Sequence, residues 1–396
     1  MSQDHPQDWD PRATPVLDDQ IGAYDQMRRQ CPVAFSNYLQ WSLFRHDDVQ
    51  RVLRDHETFS NAASAHLSIP NGMDPPEHTP FRKIIEPYFL PSAMSHFEPV
   101  CRGIAVNLVA RLPVRGEVEL MRDFAQDFAL QIQCAFMGWP ATLHEPLRDW
   151  TRRNREATLA ADREAMAAVA LQFDGCIREL LHVRRAAGAT APDDTTTQLL
   201  REQVNGRPIA DEEIVSIVRN WTVGELATIS ACVGLIVGYL AARPSLQSHL
   251  RSERKLLPAA IDEILRIDAP LISNRRRTTR AVEIGGQKIE AGERLTLIWA
   301  SANRDEAKFG DPDEFRLDRN PDDNLLYGAG IHVCPGAPLA RLELRIVMEE
   351  LLARTQSFSL LKDKPPSRAA YPAGGFATLP LWVEAEPPAT STSLQA

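Results

Sequence analysis

A long helix-forming run near the middle of the chain constrains the fold more than any other sequence feature. It opens at Asp211, with acidic residues in its first turn where the helix dipole favours them, and can continue to Ala242, just before Pro244. A helix of about 32 residues is on the order of 48 Å long. Its second half, from Leu226 to Ala242, carries no charged residue but is short for a membrane span of about 20 residues. We therefore expect this helix to cross the core of the protein.

The rest of the chain favours helix, with a minor β part. Residues 95–245 follow a helical pattern that includes a long amphipathic stretch from Trp150 to Arg185, and Ala337 to Thr355 forms the last clear helix. Between Asn274 and Trp299, Gly-Gly and Ala-Gly turns separate alternating runs, which predicts small β-hairpins. The sequence therefore predicts a mainly α fold with a minor β part.

Length and composition bound the organisation and exclude some functions. A chain of 396 residues without an internal repeat or a clear linker predicts a single compact domain over 1–396, with loose tails at 1–18 and 387–396. A net charge of −9 is unsuited to binding nucleic acid. The N-terminus shows no targeting signal, and no two of the six cysteines form a C-x-x-C pair. We expect a cytoplasmic protein with no membrane anchor and no disulfide framework.

One cysteine stands apart from the other five, which we expect to be small core residues. Cys334 lies in a loop with Gly328, Gly330 and Gly336, directly before the last helix. Glycines permit positive φ and close backbone approach, so this loop can lie flat against a planar group. Amides at a helix N-terminus stabilise a thiolate, and a thiolate suits heme iron. The other interpretations are a structural cysteine in a glycine turn, or half of a zinc site with His332, for which no second ligand pair exists.

The loop from Leu326 to Arg341 resembles the heme-binding signature of the cytochrome P450 family, F-G-x-G-x-H-x-C-x-G. Tyr327 in place of phenylalanine is its one departure from that signature. The resemblance implies the cytochrome P450 fold with a long central helix and heme b (iron protoporphyrin IX) as cofactor. It also implies Cys334 as the metal ligand, and Gly328 and Gly336 among the cofactor-binding residues.

A second motif agrees with this resemblance, which extends from about residue 20 to 385. Glu263 and Arg266 form an E-x-x-R pair on a predicted helix, where residues three apart share a face. Taken alone, such a pair is more often a surface ion pair. In the family the pair is buried and braces the cysteine loop together with a third, basic residue, for which Arg319 fits.

Cationic side chains are predicted to hold the two heme propionates. Residues 73–82 resemble the family's D-P-P-x-H-x-x-x-R, so His78 and Arg82, one helical turn apart, are expected to reach one propionate together. His332 resembles another propionate ligand. Of the arginines at 275, 276, 277 and 280, not all can point inward, because alternate strand residues face opposite ways. Alignment with the family's strand makes Arg276 the inward one.

The middle of the long helix departs from the family pattern. Gly224 is in place, but the adjacent acid–threonine pair, which relays protons for oxygen activation in the family, is absent. Glu225 and Thr228 share a helix face and form one candidate catalytic relay. In the alternative, Thr228 bonds only to the helix backbone and Glu225 pairs elsewhere, so that protons come from water or from the substrate.

The resemblance implies a heme-thiolate monooxygenase that inserts one atom of O2 into a C–H bond of a small organic substrate, by hydroxylation or oxidative dealkylation. A chain of this length leaves no room for a fused reductase, so we expect electrons from a separate ferredoxin and ferredoxin reductase. Arg341 and Arg345 are candidate docking residues. A peroxide-driven peroxygenase on the same fold and a non-enzymatic heme-thiolate sensor or binding protein are the alternatives.

Three segments correspond to the family's substrate pocket, namely 62–70, 223–227 and 271–273. The first of them carries Ser64, His66 and Ser68. These side chains either hold a polar end of the substrate or are loop groups that face water.

Overall fold

The computed structural model of the protein describes residues 7–63 and 67–385, which form a mainly helical fold with small sheets. The predicted tail at 387–396 lies outside these residues. In chain order the α-helices are α1 (Thr14–Asp18), α2 (Gln20–Gln30), α3 (His46–Arg54), α4 (His78–Ile85), α5 (Pro91–Val109), α6 (Gln126–Met137), α7 (His144–Leu159), α8 (Arg163–Ala187), α9 (Thr195–Leu199), α10 (Asp211–Val223), α11 (Ser230–Ala241), α12 (Pro244–Ser252), α13 (Leu257–Ile267), α14 (Trp299–Ala302), α15 (Glu306–Phe309) and α16 (Ala337–Arg354). The strands are β1 (Val33–Ser36), β2 (Gln40–Leu43), β3 (Phe59–Ser60), β4 (Arg115–Glu119), β5 (Gln203–Val204), β6 (Arg207–Pro208), β7 (Ser273–Thr278), β8 (Val282–Ile284), β9 (Gln287–Ile289), β10 (Arg294–Ile298), β11 (Thr355–Leu360), β12 (Ser367–Arg368), β13 (Phe376–Thr378) and β14 (Pro380–Ala385).

The predicted long helix runs from Asp211 to Ala241 through the interior. It consists of α10 and α11, joined by a π-helical segment at Gly224–Ile229 that interrupts the α-helical hydrogen-bonding pattern. By length and composition it is the one helix of the described residues that could cross a membrane, but 72% of its apolar window is buried inside the protein. It packs on α6 and α13 and is therefore a core element.

The largest sheet positions one of the predicted cofactor ligands. Its five strands lie in the order β1-β2-β10-β7-β3, with β10 parallel to β2 and antiparallel to β7. Side chains along β7 alternate, so Arg276 is buried while Arg275 and Arg277 are exposed. The predicted Gly-Gly turn closes the β8–β9 hairpin, with Gly285 and Gly286 at φ of 56° and 79°.

The amphipathic stretch predicted from Trp150 to Arg185 is divided between two helices. The chain there forms α7 and α8, which are separated at residues 160–162, where Ala161 adopts a φ of 52°. Asp162 caps α8 by accepting a hydrogen bond of 3.0 Å from the amide of Ala165. A side chain used as an N-cap starts a new helix, so the amphipathic pattern continues across a break that it does not reveal.

Part of the predicted loose N-terminal tail is packed, because residues 7–18 are anchored to the body of the protein. Trp9 is buried, and its ring lies against the edges of Tyr24 and Phe44. The amide of Asp8 donates a hydrogen bond of 2.9 Å to β1. A buried tryptophan stabilises such an anchor because it removes a large apolar surface from water. That the whole chain forms a single domain stays a prediction.

Candidate active site

The cysteine loop ends in a turn that directs backbone amides at the sulfur. Cys334 precedes α16, and the amides of Gly336 and Ala337 donate toward its sulfur. The amide of Cys334 itself donates to the Tyr327 carbonyl at 2.8 Å. The Cys334 side chain is exposed by surface area, yet protein surrounds the sulfur closely enough that desolvation raises the pKa of the thiol, against the opposing effect of the two amides and of Arg82. A bound cation would favour the thiolate here.

The remaining cysteines divide into two groups. Of the five predicted core cysteines, three are buried, namely Cys101, Cys134 and Cys232. The other two, Cys31 and Cys176, are only half-buried. No group of three or more His, Cys, Asp and Glu side chains suited to a metal ion occurs in the part of the chain that the structure describes. The half-site for zinc at His332 therefore gains no further ligand from those residues.

Two glycines of the loop are required by packing, whereas a third is not. Gly330 has a φ of 72°, and a Cβ atom there would lie 2.3 Å from the carbonyl oxygen of Leu53. Gly328 has a φ of 75°, and its Cβ would lie 2.9 Å from the ring of Trp299. A Cβ on Gly336 would instead meet the Cys334 sulfur at an ordinary contact of 3.9 Å. The loop is thus held in shape by its neighbours; that Gly328 and Gly336 contact a cofactor stays a prediction.

The E-x-x-R pair is buried and braces the segment before the cysteine loop. Glu263 and Arg266 are 5% and 1% exposed, and two hydrogen bonds of 2.7 and 2.9 Å join them. Arg319 completes the cluster by donating to Glu263 at 2.9 Å. Arg266 also donates to the carbonyls of Asn303 and Pro312. The pair is therefore an internal clamp rather than a surface ion pair, and removing one partner would leave a buried charge uncompensated.

Three of the predicted propionate ligands lie where a dianion would satisfy them. The rings of His78 and His332 are 4.5 Å apart, and the Nε2 atom of each is buried with no hydrogen-bond partner among the described residues. Burial and the neighbouring cations lower the pKa of His332 to about 3. Arg276 is buried in β7, donates to the Arg275 carbonyl at 2.8 Å and makes no ion pair within the described ranges. Burial lowers the pKa of Arg276 to about 10.

Arg82 makes two contacts within the protein. It lies one turn after His78 on α4, and its guanidinium pairs with Glu86 at 2.9 Å and donates to the Val333 carbonyl at 2.7 Å. That Arg82 reaches a propionate together with His78 stays a prediction. Because Val333 directly precedes Cys334, Arg82 ties α4 to the cysteine loop and adds positive charge near the sulfur.

These residues fit heme as a ligand. Buried polar atoms in proteins are nearly always hydrogen-bonded, and a buried guanidinium normally has a counter-charge. Here a buried arginine and two histidine nitrogens without partners lie beside a cysteine whose sulfur faces helix amides. Heme would supply two carboxylates for the arginine and the two histidines, and an iron atom for the cysteine sulfur.

In the long central helix, Glu225 and Thr228 are not hydrogen-bonded to each other in the described part of the chain. Glu225 is buried in the π-helical segment, whereas Gly224 and Ala227 are exposed on it. Thr228 is half-buried, and no hydrogen bond joins it to Glu225 or to the helix backbone in the described part of the chain. Glu225 lies instead within hydrogen-bonding reach of Glu343 on α16.

Glu343 is a site residue that sequence reasoning missed. It is fully buried, and its helix neighbours at i−4, i+3 and i+4 are Leu339, Ile346 and Val347, all buried as well. A glutamate inside the apolar stripe of a helix was the available signal, because a core position rarely holds an unpaired acid.

The fold and the site fit a heme protein, and comparison with known proteins identifies the family. The family model for Cytochrome P450 matches residues 155–381. The chain is 32% identical over 340 residues to the putative cytochrome P450 YjiB of Bacillus subtilis, which covers 83% of this chain and 86% of that protein. It is 32% identical over 352 residues to erythromycin C-12 hydroxylase of Saccharopolyspora erythraea, covering 85% and 87%.

A solved structure is similar over nearly the whole length. The open cytochrome P450 EryK from S. erythraea superposes with a TM-score of 0.84 at 29% identity, covering 94% of this chain and 97% of that one. Linalool 8-monooxygenase of Pseudomonas putida is 30% identical over 364 residues, covering 85% of this chain and 89% of that protein. The chain belongs to the cytochrome P450 family and is a cytochrome P450 monooxygenase.

Proposed function

We propose that the protein inserts one oxygen atom from O2 into a C–H bond of a small, largely apolar organic molecule, with electrons from a separate ferredoxin and ferredoxin reductase. The observation that carries this proposal is a group of buried side chains beside Cys334: the Nε2 atoms of His78 and His332 have no hydrogen-bond partner, and the Arg276 guanidinium has no ion pair among the described residues. The relatives named above include a hydroxylase and a monooxygenase, which supports the reaction type.

The chain's own residues have separable roles toward the cofactor. Cys334 would be the axial ligand, while His78, His332 and Arg276 would neutralise the two propionates. Bound heme supplies the activation of O2, and a thiolate ligand favours cleavage of the O–O bond. The protein holds the group in position, excludes water and controls protons. Arg82 and the Glu263–Arg266 clamp would keep the cysteine loop in shape without touching the substrate.

The proposed substrate class follows from the side chains of the three pocket segments. Their exposed large residues are apolar, and they are Leu67, Val223 and Leu271. The Ser68 hydroxyl donates to the Asn220 side chain at 3.2 Å, so it is bonded within the protein, and Ser64 and His66 lie outside the described residues. Apolar walls favour an apolar group next to the reacting centre because its burial removes hydrocarbon surface from water.

The two residues predicted to dock the proposed ferredoxin differ in exposure and in pairing. Arg341 is half exposed, pairs with Asp262 at 3.0 Å and lies over the ring of Tyr327. Arg345 is bonded to Glu98 and Glu349, so less of its charge is free for a partner. Arg341 is therefore the better of the two predicted docking residues.

Turnover under two oxidant supplies tests the proposed function. Purified protein with bound heme is incubated with a panel of apolar substrates, either with O2, a ferredoxin, its reductase and a nicotinamide donor, or with hydrogen peroxide alone. We expect product only with the electron-transfer partners, carrying one atom from labelled O2. Product formed with peroxide alone would indicate a peroxygenase, and heme binding without any product would indicate a sensor; either result contradicts the proposal.

A further inference from the structure

Two buried carboxyl groups face each other where the long central helix meets α16. Glu225 is 9% exposed and Glu343 is 0% exposed, and the two groups lie within hydrogen-bonding reach of each other. Glu225 Oε1 and both oxygens of Glu343 find no other donor among the described residues. Neither residue makes an ion pair in the described part of the chain. Two carboxylates cannot donate to each other, so this contact requires a proton.

The titratable groups described next to the pair carry no positive charge that could take the place of that proton. The thiols of Cys101, on α5, and Cys232, on α11, interact electrostatically with both carboxyls, and burial raises the pKa of each thiol. Asp262, on α13, interacts with Cys232 and is itself paired with Arg341.

Cations near the pair are already committed to other acids. Arg102 follows Cys101 on α5, but it is bonded to Glu98, Glu349 and Glu350. Desolvation raises the pKa of Glu225 to about 7 and raises that of Glu343 well above its ordinary value. Two interacting carboxyls titrate as a unit, and like charges in a dry site keep one proton on the pair near neutral pH.

The pair lies beside the turn of the long helix that departs from the family pattern. Gly224 and Ala227, on either side of Glu225, are exposed in the π-helical segment, so the chain is accessible at this turn. Glu225 also interacts electrostatically with Cys334, so the carboxyl lies near the cysteine loop. No acid–threonine pair is present in this turn to move protons.

We propose that Glu225 and Glu343 form a shared-proton acid pair that supplies protons for oxygen reduction in place of the absent acid–threonine pair. The proposal rests on the monooxygenase function proposed above. The overall reaction consumes one O2, two electrons from ferredoxin, two protons and one C–H bond, and it yields one alcohol and one water. The pair would donate each of the two protons through Glu225 and would be reprotonated from solvent after each donation, so that it carries no net change per turnover.

Infrared spectroscopy tests the shared proton without turnover. A buried protonated carboxyl group gives a carbonyl stretch that ionised carboxylates lack. We expect this band in the wild-type protein at neutral pH, with a shift in D2O and a shift or loss in both Glu225→Gln and Glu343→Gln. Glu349→Gln, on the same helix but paired with arginines, should leave the band unchanged. A wild-type protein without the band would overturn the proposal.

Coupling of electrons to product tests the proton supply. Positioned acids contribute about 10²–10⁴-fold, so we expect product per electron to fall at least about tenfold in Glu225→Gln and Glu343→Gln, with the electrons released as hydrogen peroxide. Glu225→Asp, which keeps the acid, should recover part of the coupling and serves if Glu343→Gln does not fold. Glu349→Gln should couple as the wild type does.

The outcomes separate this inference from the proposed function. Unchanged coupling and solvent isotope effect in Glu225→Gln would show a merely structural pair and overturn the inference, while the monooxygenase function would stand. A wild-type protein that forms no product with any donor would overturn the monooxygenase function, whereas the infrared band would still report whether the pair holds a proton.

Discussion

The two sides of the site are specified in different ways. On the cysteine side, short sequence spacings decide the structure, because Gly328 and Gly330 fit only without a Cβ atom and Cys334 directly precedes a helix. On the long-helix side, the arrangement depends on Glu225 and Glu343, which are 118 positions apart and meet only in the folded protein. The comparison teaches that local motifs indicate the cofactor that the family implies, whereas the proposed route of protons depends on tertiary contacts.

The largest expected effect concerns the clamp behind the cysteine loop. Arg266→Ala leaves Glu263 buried without its main counter-charge, and breaking a buried pair costs about 3–5 kcal/mol. Urea unfolding at neutral pH measures this loss in the free energy of unfolding. Arg341→Ala, which removes a half-exposed pair with Asp262, should cost about 1 kcal/mol or less. Equal losses in the two variants would contradict the view that only the first pair is structural.

Two matched glycine variants test how neighbouring residues hold the cysteine loop in shape. Gly330→Ala places a Cβ 2.3 Å from the Leu53 carbonyl oxygen at a positive φ, so we expect a loss of about 2–3 kcal/mol together with weakened heme retention. Gly336→Ala meets only ordinary contacts of 3.9 Å and should stay within about 1 kcal/mol of the wild type. Thermal unfolding and heme content measure both variants. The reverse order would show that the loop is not held by its neighbours.

The acid pair predicts a smaller, pH-dependent effect on stability. Glu225 holds its proton up to a pKa of about 7 in the folded state, against 4.5 ordinarily, so the folded state binds more protons between these values. Stability contributed by this group is therefore full at low pH and is lost as pH rises through about 7. The difference in unfolding free energy between the wild type and Glu225→Gln should slope downward with pH over this window. A flat difference would show that the pair is not protonated.

The smallest effect is expected at Thr228. Its hydroxyl makes no hydrogen bond in the described part of the chain, so Thr228→Val should change coupling less than about twofold, well below the effect of a positioned acid. Steady-state product and peroxide measurements check this. A large rise in peroxide from this variant would contradict this expectation and support the Glu225–Thr228 relay that the sequence suggested.

How far sequence reasoning reached depends on the range of the contacts involved. The long helix follows from the helical pattern of nearby residues. The inward Arg276 and the burial of the E-x-x-R pair were expected only from the resemblance to the family, because the pair's burial depends on distant residues such as Arg319. The three-stranded sheet β11-β14-β4 was missed because it joins strands from distant parts of the chain. The hydrogen bond from Arg82 to the Val333 carbonyl was likewise missed, because these residues are far apart in the sequence.

The most direct test of the central claim is the visible spectrum of the reduced, carbon monoxide-bound protein, recorded for the wild type and for Cys334→Ala. The account predicts the red-shifted Soret band of a thiolate ligand in the wild type and its loss in the variant, because Cys334 is the exposed cysteine of the described chain and lies at the helix amides. A wild-type protein without heme, or with an unshifted band, would contradict the assignment of Cys334 and every role derived from it.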